Sequence, residues 1–403
     1  MQDALIFDGL RTPFGRHAGS LAPVRPDDLL GGVIARLIER NPAVREAVED
    51  VVAGCANQAG EDARNVARHA SLLAGLPESV GGQTVNRLCG SGLAAVADAA
   101  RAVRCGEGEL FVAGGVESMS RAPFVMAKAT SAFSRQMPMF DSTIGARFPN
   151  PVIEEKFGAD TMPETADNIA KGLDVRRDAS DRFALASQQK YEAARAAGFF
   201  AEEIAPIEIA AGRGKPPTIV PADEHPRPQT TLEALQKLKP LFEGGVVTAG
   251  SASGINDGAA ALLIGSAEAG ERLGLKPRGR IISAAIAGVA PRVMGLGPVP
   301  ASKKALERAN LSLSDMDAIE INEAFATQVL GCLVGLGLAA DDSRVNPNGG
   351  AIAVGHPLGA SGARLALTAL RQLERTGARY ALVTMCIGVG QGIAVVIERS
   401  REA

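Results

Sequence analysis

The chain has 403 residues, enough for two or three domains of roughly 100–200 residues each. Hydrophobic residues make up 46% and charged residues 22%, ordinary for a soluble globular protein, and the 46 glycines exceed the usual share of about 7%, which favours tight turns and close backbone approach. A formal net charge of −3, no basic run, no Trp and only two Tyr argue against a nucleic-acid partner.

The opening stretch MQDALIFDGLRTPFGR carries Asp3 and Asp8 and only a short apolar run. It reads as a first strand, Ala4–Phe7, and not as a signal peptide. A helix over Asp27–Arg40, a strand over Val51–Gly54 and a helix over Asn65–Ala74 follow. Val85-Asn86 then leads into Cys89, a helix over Ser91–Arg104 and a strand over Leu110–Ala113. From about Ser118 to Pro240 charges and prolines are frequent and strand signals few. Met162–Lys171 and Ser180–Gly198 look helical there, and Pro206 to Pro228 holds six prolines. This pattern predicts an inserted, loop-rich domain packed over one face. Apolar α/β character returns at Val246. Further on come a helix over Lys303–Asn310, a strand over Ile319–Ile321, a helix over Ser361–Arg375, and strands over Tyr380–Met385 and Ile393–Glu398. The longest weakly polar stretch, Val329–Ala340, falls short of the about 20 residues of a membrane span and predicts a buried helix or strand, with no membrane partner. Strands alternating with helices predict an α/β fold with largely parallel sheets. Val345-Asn346 precedes His356, a helix and a strand in the order seen after Val85-Asn86. Two similar halves facing each other would bring two helix N-termini to one site.

The five cysteines, Cys55, Cys89, Cys105, Cys332 and Cys386, are odd in number and widely spaced, so they form no disulfide framework. His17, His69, His225 and His356 are scattered, and no metal site is expected. Free thiols suit a reducing, cytoplasmic setting. Cys89, in VNRLCGSGLAAV, lies at or just before a helix N-terminus, with Ser91 a candidate cap. Unpaired N–H groups there favour a thiolate, although a small buried residue at a helix start would look the same. His356, in AIAVGHPLGASGAR, also lies in a Gly-rich turn before a helix and suits a general base, or a structural histidine. Cys386 and Gly388, in TMCIGVGQG, follow a buried strand. The glycines imitate a dinucleotide fingerprint, but IAVVIERS reads as a strand where that motif needs a helix. What remains is a Cys with backbone donors beside it, fit for an oxyanion. Asn322, in IEINEAFATQ, ends a strand and could orient a water or simply cap a helix.

Taken together, RTPFGR, NRLCGSG, GGVESMS, TAGSASGINDGAAA, GPVPA, INEAFA, GGAIAVGHPLGASGAR and CIGVGQG resemble the motifs of the thiolase family, in family order and over essentially the whole chain. The related condensing enzymes of fatty-acid synthesis usually place His or Asn where this chain has Cys386. The resemblance implies a fold of two similar five-layered αβαβα halves with an inserted loop domain. The corresponding boundaries are 1–117 with 246–270 for the first half, 118–245 for the insert and 271–403 for the second half. It implies an acyltransferase that cleaves a 3-oxoacyl-CoA with coenzyme A as co-substrate and no bound metal or redox cofactor. Cys89 would be the acyl-accepting nucleophile, His356 its base and Cys386 the acid/base at the α-carbon. Asn322 would hold a water at one oxyanion site, and the N–H groups of Cys89 and Gly388 would form the second. For CoA, family position points to Arg227 at the nucleotide end and Ser253 and Met162 along the pantetheine, with Phe242 beside them. Such enzymes are commonly homodimers or homotetramers. One departure is Thr161, where short-chain biosynthetic members commonly have His. Longer stretches, GCANQAGEDARNVAR, VESMSRAPFVMAKA and TTLEALQKLKP, look most similar to the branch acting on 3-oxoadipyl-CoA. General fatty-acid and acetoacetyl-CoA thiolases are the alternatives. A free carboxylate on the substrate would call for a cation, with Arg121, Lys128, Arg135 and Arg147 the candidates.

Overall fold

The computed structural model describes residues 2–211 and 214–400. In chain order the first part contains β1 (Leu5–Arg11), β2 (Gly15–Arg16), α1 (Pro26–Arg40), β3 (Asp50–Gly54), α2 (Val66–Leu73), β4 (Gln83–Val85), α3 (Ser91–Cys105) and β5 (Leu110–Ser118). The stretch that follows carries two small hairpins, β6 (Phe124–Met126) with β7 (Met139–Asp141) and β8 (Ile207–Ile209) with β9 (Thr218–Val220). Its helices are α4 (Pro151–Phe157), α5 (Met162–Leu173), α6 (Arg177–Ala196) and α7 (Leu232–Gln236). The chain then re-enters the main sheet at β10 (Asn256–Gly265) and continues through α8 (Ala267–Leu273), β11 (Gly279–Gly288), α9 (Pro298–Ala309), β12 (Ala318–Ile321), α10 (Ala326–Leu336), α11 (Ala351–Val354), α12 (Leu358–Thr376), β13 (Tyr380–Ile387) and β14 (Gln391–Arg399).

Strand order shows the repeat. One half runs β4-β3-β5-β10-β1 and the other β12-β13-β14-β11, joined by a short pairing of Leu5 and Ile6 with Arg280 and Gly279. In each half a parallel pair (β3 with β5, β12 with β13) is followed by two antiparallel neighbours. The Val-Asn repeat also has a structural counterpart. Val85 pairs in parallel with Gly54, and Val345 makes an isolated parallel bridge to Ile319. The expectation of largely parallel sheets is corrected: among the described residues only the strand pairs β3–β4, β3–β5 and β12–β13 are parallel. The alternation of strands with helices suggests parallel pairing, but β10 follows the long insert and β11 and β14 pair antiparallel with their neighbours, and β5 and β10 are buried on both faces all the same.

Three apolar layers give that burial. Between the sheets, α3 and α12 pack Leu93, Val96, Leu365 and Leu370 against strand residues of both halves. On one outer side α1 and α2 cover the first sheet, and on the other α9 and α10 cover the second. The order is therefore helix, sheet, helix, sheet, helix. The central layer is tight. A Cβ on Gly92 would lie 2.3 Å from the Gly359 carbonyl oxygen, and one on Gly359 would lie 2.2 Å from that of Val116. Both obstacles are backbone atoms and cannot rotate away.

Gly359→Ala is therefore expected to destabilise by about 1–3 kcal/mol or more. Gly172→Ala, exposed near the end of α5 with nothing within 4 Å of the new methyl, is expected to stabilise by about 0.4–1 kcal/mol. Urea unfolding midpoints of the two variants check both signs.

Candidate active site

Cys89 lies in the turn from β4 into α3, partly exposed. Leu88 before it holds φ at +46°, a left-handed conformation that costs a non-glycine residue about 1–3 kcal/mol. The turn is held by side chains. Asn86 Oδ1 accepts from the Leu88 N–H at 3.0 Å. Ser91 Oγ accepts from the Arg87 N–H at 2.8 Å and donates to the Leu88 carbonyl at 2.6 Å. Ser91 is thus a staple of the turn and not the expected cap; the capping position is Gly90, which makes no side-chain bond. Burial pushes the Cys89 thiol up, the N–H groups of Gly388 and of Cys89 itself pull it down, and Glu117 adds a push upward. The burial effect prevails, so the resting group is a thiol.

Gly388 starts the turn between β13 and β14. A Cβ there would meet Leu88 Cδ1 at 3.4 Å and Met162 Sδ at 3.7 Å. Met162, the first residue of α5, therefore faces the same chamber. Cys386 is inside β13 and opposite Gly392, with 1% exposure. Burial, then the neighbouring Cys89 and Cys332, push its thiol well above the ordinary range. The strand β14 after this turn disposes of the dinucleotide-fold alternative.

His356 is buried between α11 and α12. Its N–H donates to Asn256 Oδ1 at 2.9 Å. Its Nδ1 lies 2.6 Å from Ser361 Oγ, which in turn donates to the Pro357 carbonyl at 2.9 Å. A hydroxyl has one proton; with that proton on Pro357, Nδ1 carries the ring hydrogen and Nε2 keeps its lone pair. This tautomer is assigned from the hydrogen-bond network. Asn322 Nδ2 lies 3.3 Å from Nε2. Burial, then the positive charge of Arg364, push His356 down to about 3. The ring is neutral at physiological pH, with the Nε2 lone pair free of a proton. Asn322 is fixed by its N–H to the Thr384 carbonyl at 3.0 Å. It caps no helix, since α10 starts after Phe325. Its buried Oδ1 has no protein partner.

The structure thus brings Cys89, Gly388, Cys386 and Met162 together; His356 and Asn322 touch each other, and the Asn322 N–H bonds Thr384, two residues before Cys386. Ser253 is close by in the chain path, its N–H bonded to the Ala324 carbonyl at 2.9 Å. Arg227 is exposed and lines a cleft of about 490 Å³ with Arg16, His17, Glu224 and His225. Phe242 stands exposed at 39%, in a turn closed by the Gly245 N–H.

Sequence reasoning missed three supports: Glu117, Asn256 and Ser361. Their signal was polar identity at positions inside apolar elements. Glu117, at the end of β5, accepts from the N–H groups of Ala56, Asn57 and Gly359 at 3.0, 2.9 and 2.9 Å. It ties the loop after β3 to the start of α12, and burial raises it to about 7. With Cys55 and Asp62 it forms a buried cluster of metal-ligand types. Both carboxylates in it are occupied by backbone donors, those on Asp62 coming from Gln58 and Gly60.

The layers and the site define a class. The thiolase N-terminal domain profile matches residues 4–268 and the C-terminal domain profile residues 275–399. The chain belongs to the thiolase family and is an acyltransferase with coenzyme A as co-substrate. It is 61% identical to the beta-ketoadipyl-CoA thiolase of Pseudomonas putida, across 99% of this chain and 100% of that one. It is 60% identical, with the same coverage, to the 3-oxoadipyl-CoA/3-oxo-5,6-dehydrosuberyl-CoA thiolase of Escherichia coli K12. Among solved structures it is similar to human mitochondrial 3-ketoacyl-CoA thiolase in complex with CoA, with a TM-score of 0.91, 39% identity, and coverage of 99% of this chain and 98% of that one.

The depressed histidine makes stability depend on pH. An unfolded histidine takes a proton near 6.5, whereas His356 stays neutral to about 3. Its contribution is present above 6.5 and lost as pH falls towards 3, at about 1.4 kcal/mol per unit. His356→Ala should flatten the acid limb of a urea-midpoint profile between pH 6.5 and 4.5; an unchanged limb would show that the ring takes up its proton in the folded state.

Proposed function

We propose that this chain cleaves 3-oxoadipyl-CoA with coenzyme A, giving succinyl-CoA and acetyl-CoA. The observation that carries the chemistry is the Asn322–His356–Ser361 chain, which leaves an unprotonated Nε2 in a buried pocket, while the helix after His356 packs backbone on backbone against the helix after Cys89. In this reading the Cys89 sulfur attacks the 3-oxo carbon as His356 Nε2 takes the thiol proton. The carbon–carbon bond then breaks, the chain beyond it stays on sulfur as a thioester, and the electron pair leaves as an acetyl-CoA enolate. Cys386, still protonated, delivers a proton to that carbon. The CoA thiol then gives its proton to the Cys386 thiolate and attacks the thioester; the shortened acyl-CoA leaves, and the departing Cys89 sulfur takes back the proton held by His356. The Gly388 and Cys89 N–H groups hold the thioester oxygen. His356, once protonated, shares the enolate oxygen with a water on Asn322, whose orphaned Oδ1 supports that role. Loss of one such donor costs about 3–4 kcal/mol in comparable sites. Ping-pong kinetics follow.

Support for the substrate comes from the names of the relatives at 60–61% identity. Of the four cations considered for its carboxylate, Arg121 is committed to Glu61, and Lys128 and Arg135 are exposed. Arg147 is half-buried, and its guanidinium donates to the Asn57 carbonyl at 3.0 Å. The Asn57 N–H binds Glu117, the carboxyl felt by Cys89. Arg147 is accordingly the residue we assign to the substrate carboxylate. CoA contacts through Arg227, Ser253, Met162 and Phe242, and the division into 1–117 with 246–270, 118–245 and 271–403, belong to the same proposal. So does a homodimer or homotetramer, supported by the exposed Phe124, Met126 and Met139 on the β6–β7 hairpin. Among the described residues no helix is long and apolar enough to cross a membrane. A cytoplasmic setting suits the five free cysteines.

Cys89→Ser is expected to abolish acyl-enzyme formation, observed by mass spectrometry after mixing with acetyl-CoA. Cys386→Ala should keep part of that acylation while stopping α-proton exchange of acetyl-CoA in deuterated water. Equal loss of both reactions in Cys386→Ala would refute the division of labour.

Comparison of kcat/KM for 3-oxoadipyl-CoA, acetoacetyl-CoA and a medium-chain 3-oxoacyl-CoA tests the substrate. The first should be preferred, and Arg147→Ala should reduce that preference over acetoacetyl-CoA by roughly 10- to 100-fold, the range of a hydrogen bond to a charged group. A preference for either other substrate would overturn the assignment while leaving the mechanism in place.

A further inference from the structure

Arg227 stands in the run His225-Pro226-Arg227-Pro228. Pro226 and Pro228 carry no N–H, so between them Arg227 alone offers a backbone donor. That N–H donates to Gln188 Oε1 at 2.9 Å. Among the described residues it is the one hydrogen bond that leaves the stretch from His225 to Thr230. The others, from the N–H and hydroxyl of Thr230 to the Arg227 carbonyl, close within it. Gln188 is on α6 and buried. Its Nε2 donates to the Ile352 carbonyl in α11 at 3.1 Å. The amide therefore cannot turn over without losing both bonds, and its oxygen is held towards Arg227.

The chain is also held just before this point. Asp223 accepts from Arg11 Nη1 and Nη2 at 2.6 and 2.9 Å, from the Phe14 N–H at 2.8 Å and from the Tyr191 hydroxyl at 2.9 Å. Tyr191 is three residues after Gln188, on the same side of α6. One helix face therefore fastens the segment at both Asp223 and Arg227. The Arg227 side chain leaves the second of these points for the cleft it lines. His225, between the two, packs on the segment that carries Ser253: a Cβ on Gly254 would fall 2.2 Å from His225 Cε1. Arg227 and Ser253, both read as CoA contacts, thus lie on adjoining stretches of chain.

We infer that Gln188 is a positioning residue for coenzyme A: it fixes the backbone at Arg227, so that the guanidinium is aimed before the ligand arrives. This rests on the reading of Arg227 as a CoA contact. An arginine on a loose loop loses both loop and side-chain freedom when it grips an anion, and a backbone fixed beforehand reduces that cost. The Ile352 end of the amide matters less to the catalytic turn. There α11 keeps its other ties, from the Ile352 N–H to Glu323 at 3.1 Å and from the Gly350 N–H to Ser187 Oγ at 3.1 Å.

The test is a double-mutant cycle on CoA binding. Kd for CoA is measured by isothermal titration calorimetry for wild type, Gln188→Met, Arg227→Ala and the double variant, beside kcat for thiolysis of 3-oxoadipyl-CoA at saturating CoA. Gln188→Met nearly keeps the shape and removes both amide hydrogen bonds. It should weaken CoA binding by about 3- to 10-fold, the range of one hydrogen bond, with kcat falling less than about twofold. Arg227→Ala should weaken binding by about 10-fold or more, as loss of a hydrogen bond to a charged group does. The double variant should match Arg227→Ala within about twofold, because Gln188 then has no guanidinium to aim. Wild-type Kd in Gln188→Met overturns the inference. So does a double variant in which the two losses multiply, the pattern of general loosening, and so does a fall in kcat as large as the loss of affinity. Should Gln188→Met fail to fold, Gln188→Leu is judged by the same criteria; if both fail, Gln188 is a folding element and the inference is wrong. Arg227→Ala separates the two readings: wild-type Kd there refutes Arg227 as a CoA contact, whereas weakened binding there beside normal binding in Gln188→Met refutes only the positioning residue.

Discussion

The close approach of the N-termini of α3 and α12 is the constraint on which the rest depends. Cys89 stands just before one of these helices and His356 just before the other. Their separation is fixed by backbone packed on backbone where Gly92 meets Gly359. Side-chain packing has rotamer freedom to absorb small changes, but glycine contact does not. Each helix is in turn sandwiched between two sheets, so neither moves without disturbing both halves. Duplication of the half-domain supplies the symmetry, and Cys89 and His356 occupy matching positions within it.

Glu117 carries this constraint from one half into the other. It projects from the end of β5 in the first half and accepts the Gly359 N–H at the start of α12 in the second. The same carboxylate holds the loop after β3 through Ala56 and Asn57. Asn256 does similar work from β10, with one amide atom on the Gly15 carbonyl and the other on the His356 N–H. The catalytic turns are thus anchored from both halves. This kind of support keeps a strained residue such as Leu88 in place.

Much of the candidate site is legible because glycine-rich turns announce themselves: Cys89 and His356 each precede a helix, and Cys386 ends a buried strand just before a glycine-rich turn into another strand. The fold was legible in outline and wrong in sense. Alternating strands and helices imply parallel pairing, and apolar strands such as ALLIG show burial on both faces without saying which way a neighbour runs, so the mostly antiparallel pairing is not legible in the sequence. β5 runs past the predicted end at Ala113 through Gly114 and Gly115: α12 passes over Gly115, where a Cβ would fall 2.2 Å from the Gly359 carbonyl oxygen, and a Cβ on Gly114 would fall 2.0 Å from the Ala260 carbonyl oxygen of β10. β11, GRIISAAIAG, buries the small or polar Ser283 and Ala285 beside Ile281, which leaves little strand signal in the sequence. Glu117, Asn256 and Ser361 act across distances of chain that no local pattern encodes.

The protonation pattern of the gathered site bears on how the nucleophile is made. Many reactive cysteines rest as a thiolate beside an imidazolium. Here burial raises both Cys89 and Cys386 and lowers His356. Every shift opposes separated charge, so the resting pair is neutral thiol and neutral ring. In the proposed mechanism the thiolate would therefore form as the substrate carbonyl begins to accept it, when the Gly388 N–H and the developing imidazolium would have a negative oxygen to stabilise. Such coupling would restrain a free thiolate from reacting before substrate arrives. It would also keep Cys386 protonated until an enolate of sufficient basicity forms beside it. The two thiols share one chamber yet differ in what surrounds them: Cys89 has backbone donors pointed at its sulfur and an open side, whereas Cys386 is enclosed within a strand with a second thiol, Cys332, close by. Two backbone donors lower the cost of negative charge on Cys89, and in the proposed mechanism that difference would let nucleophile and acid be the same kind of side chain.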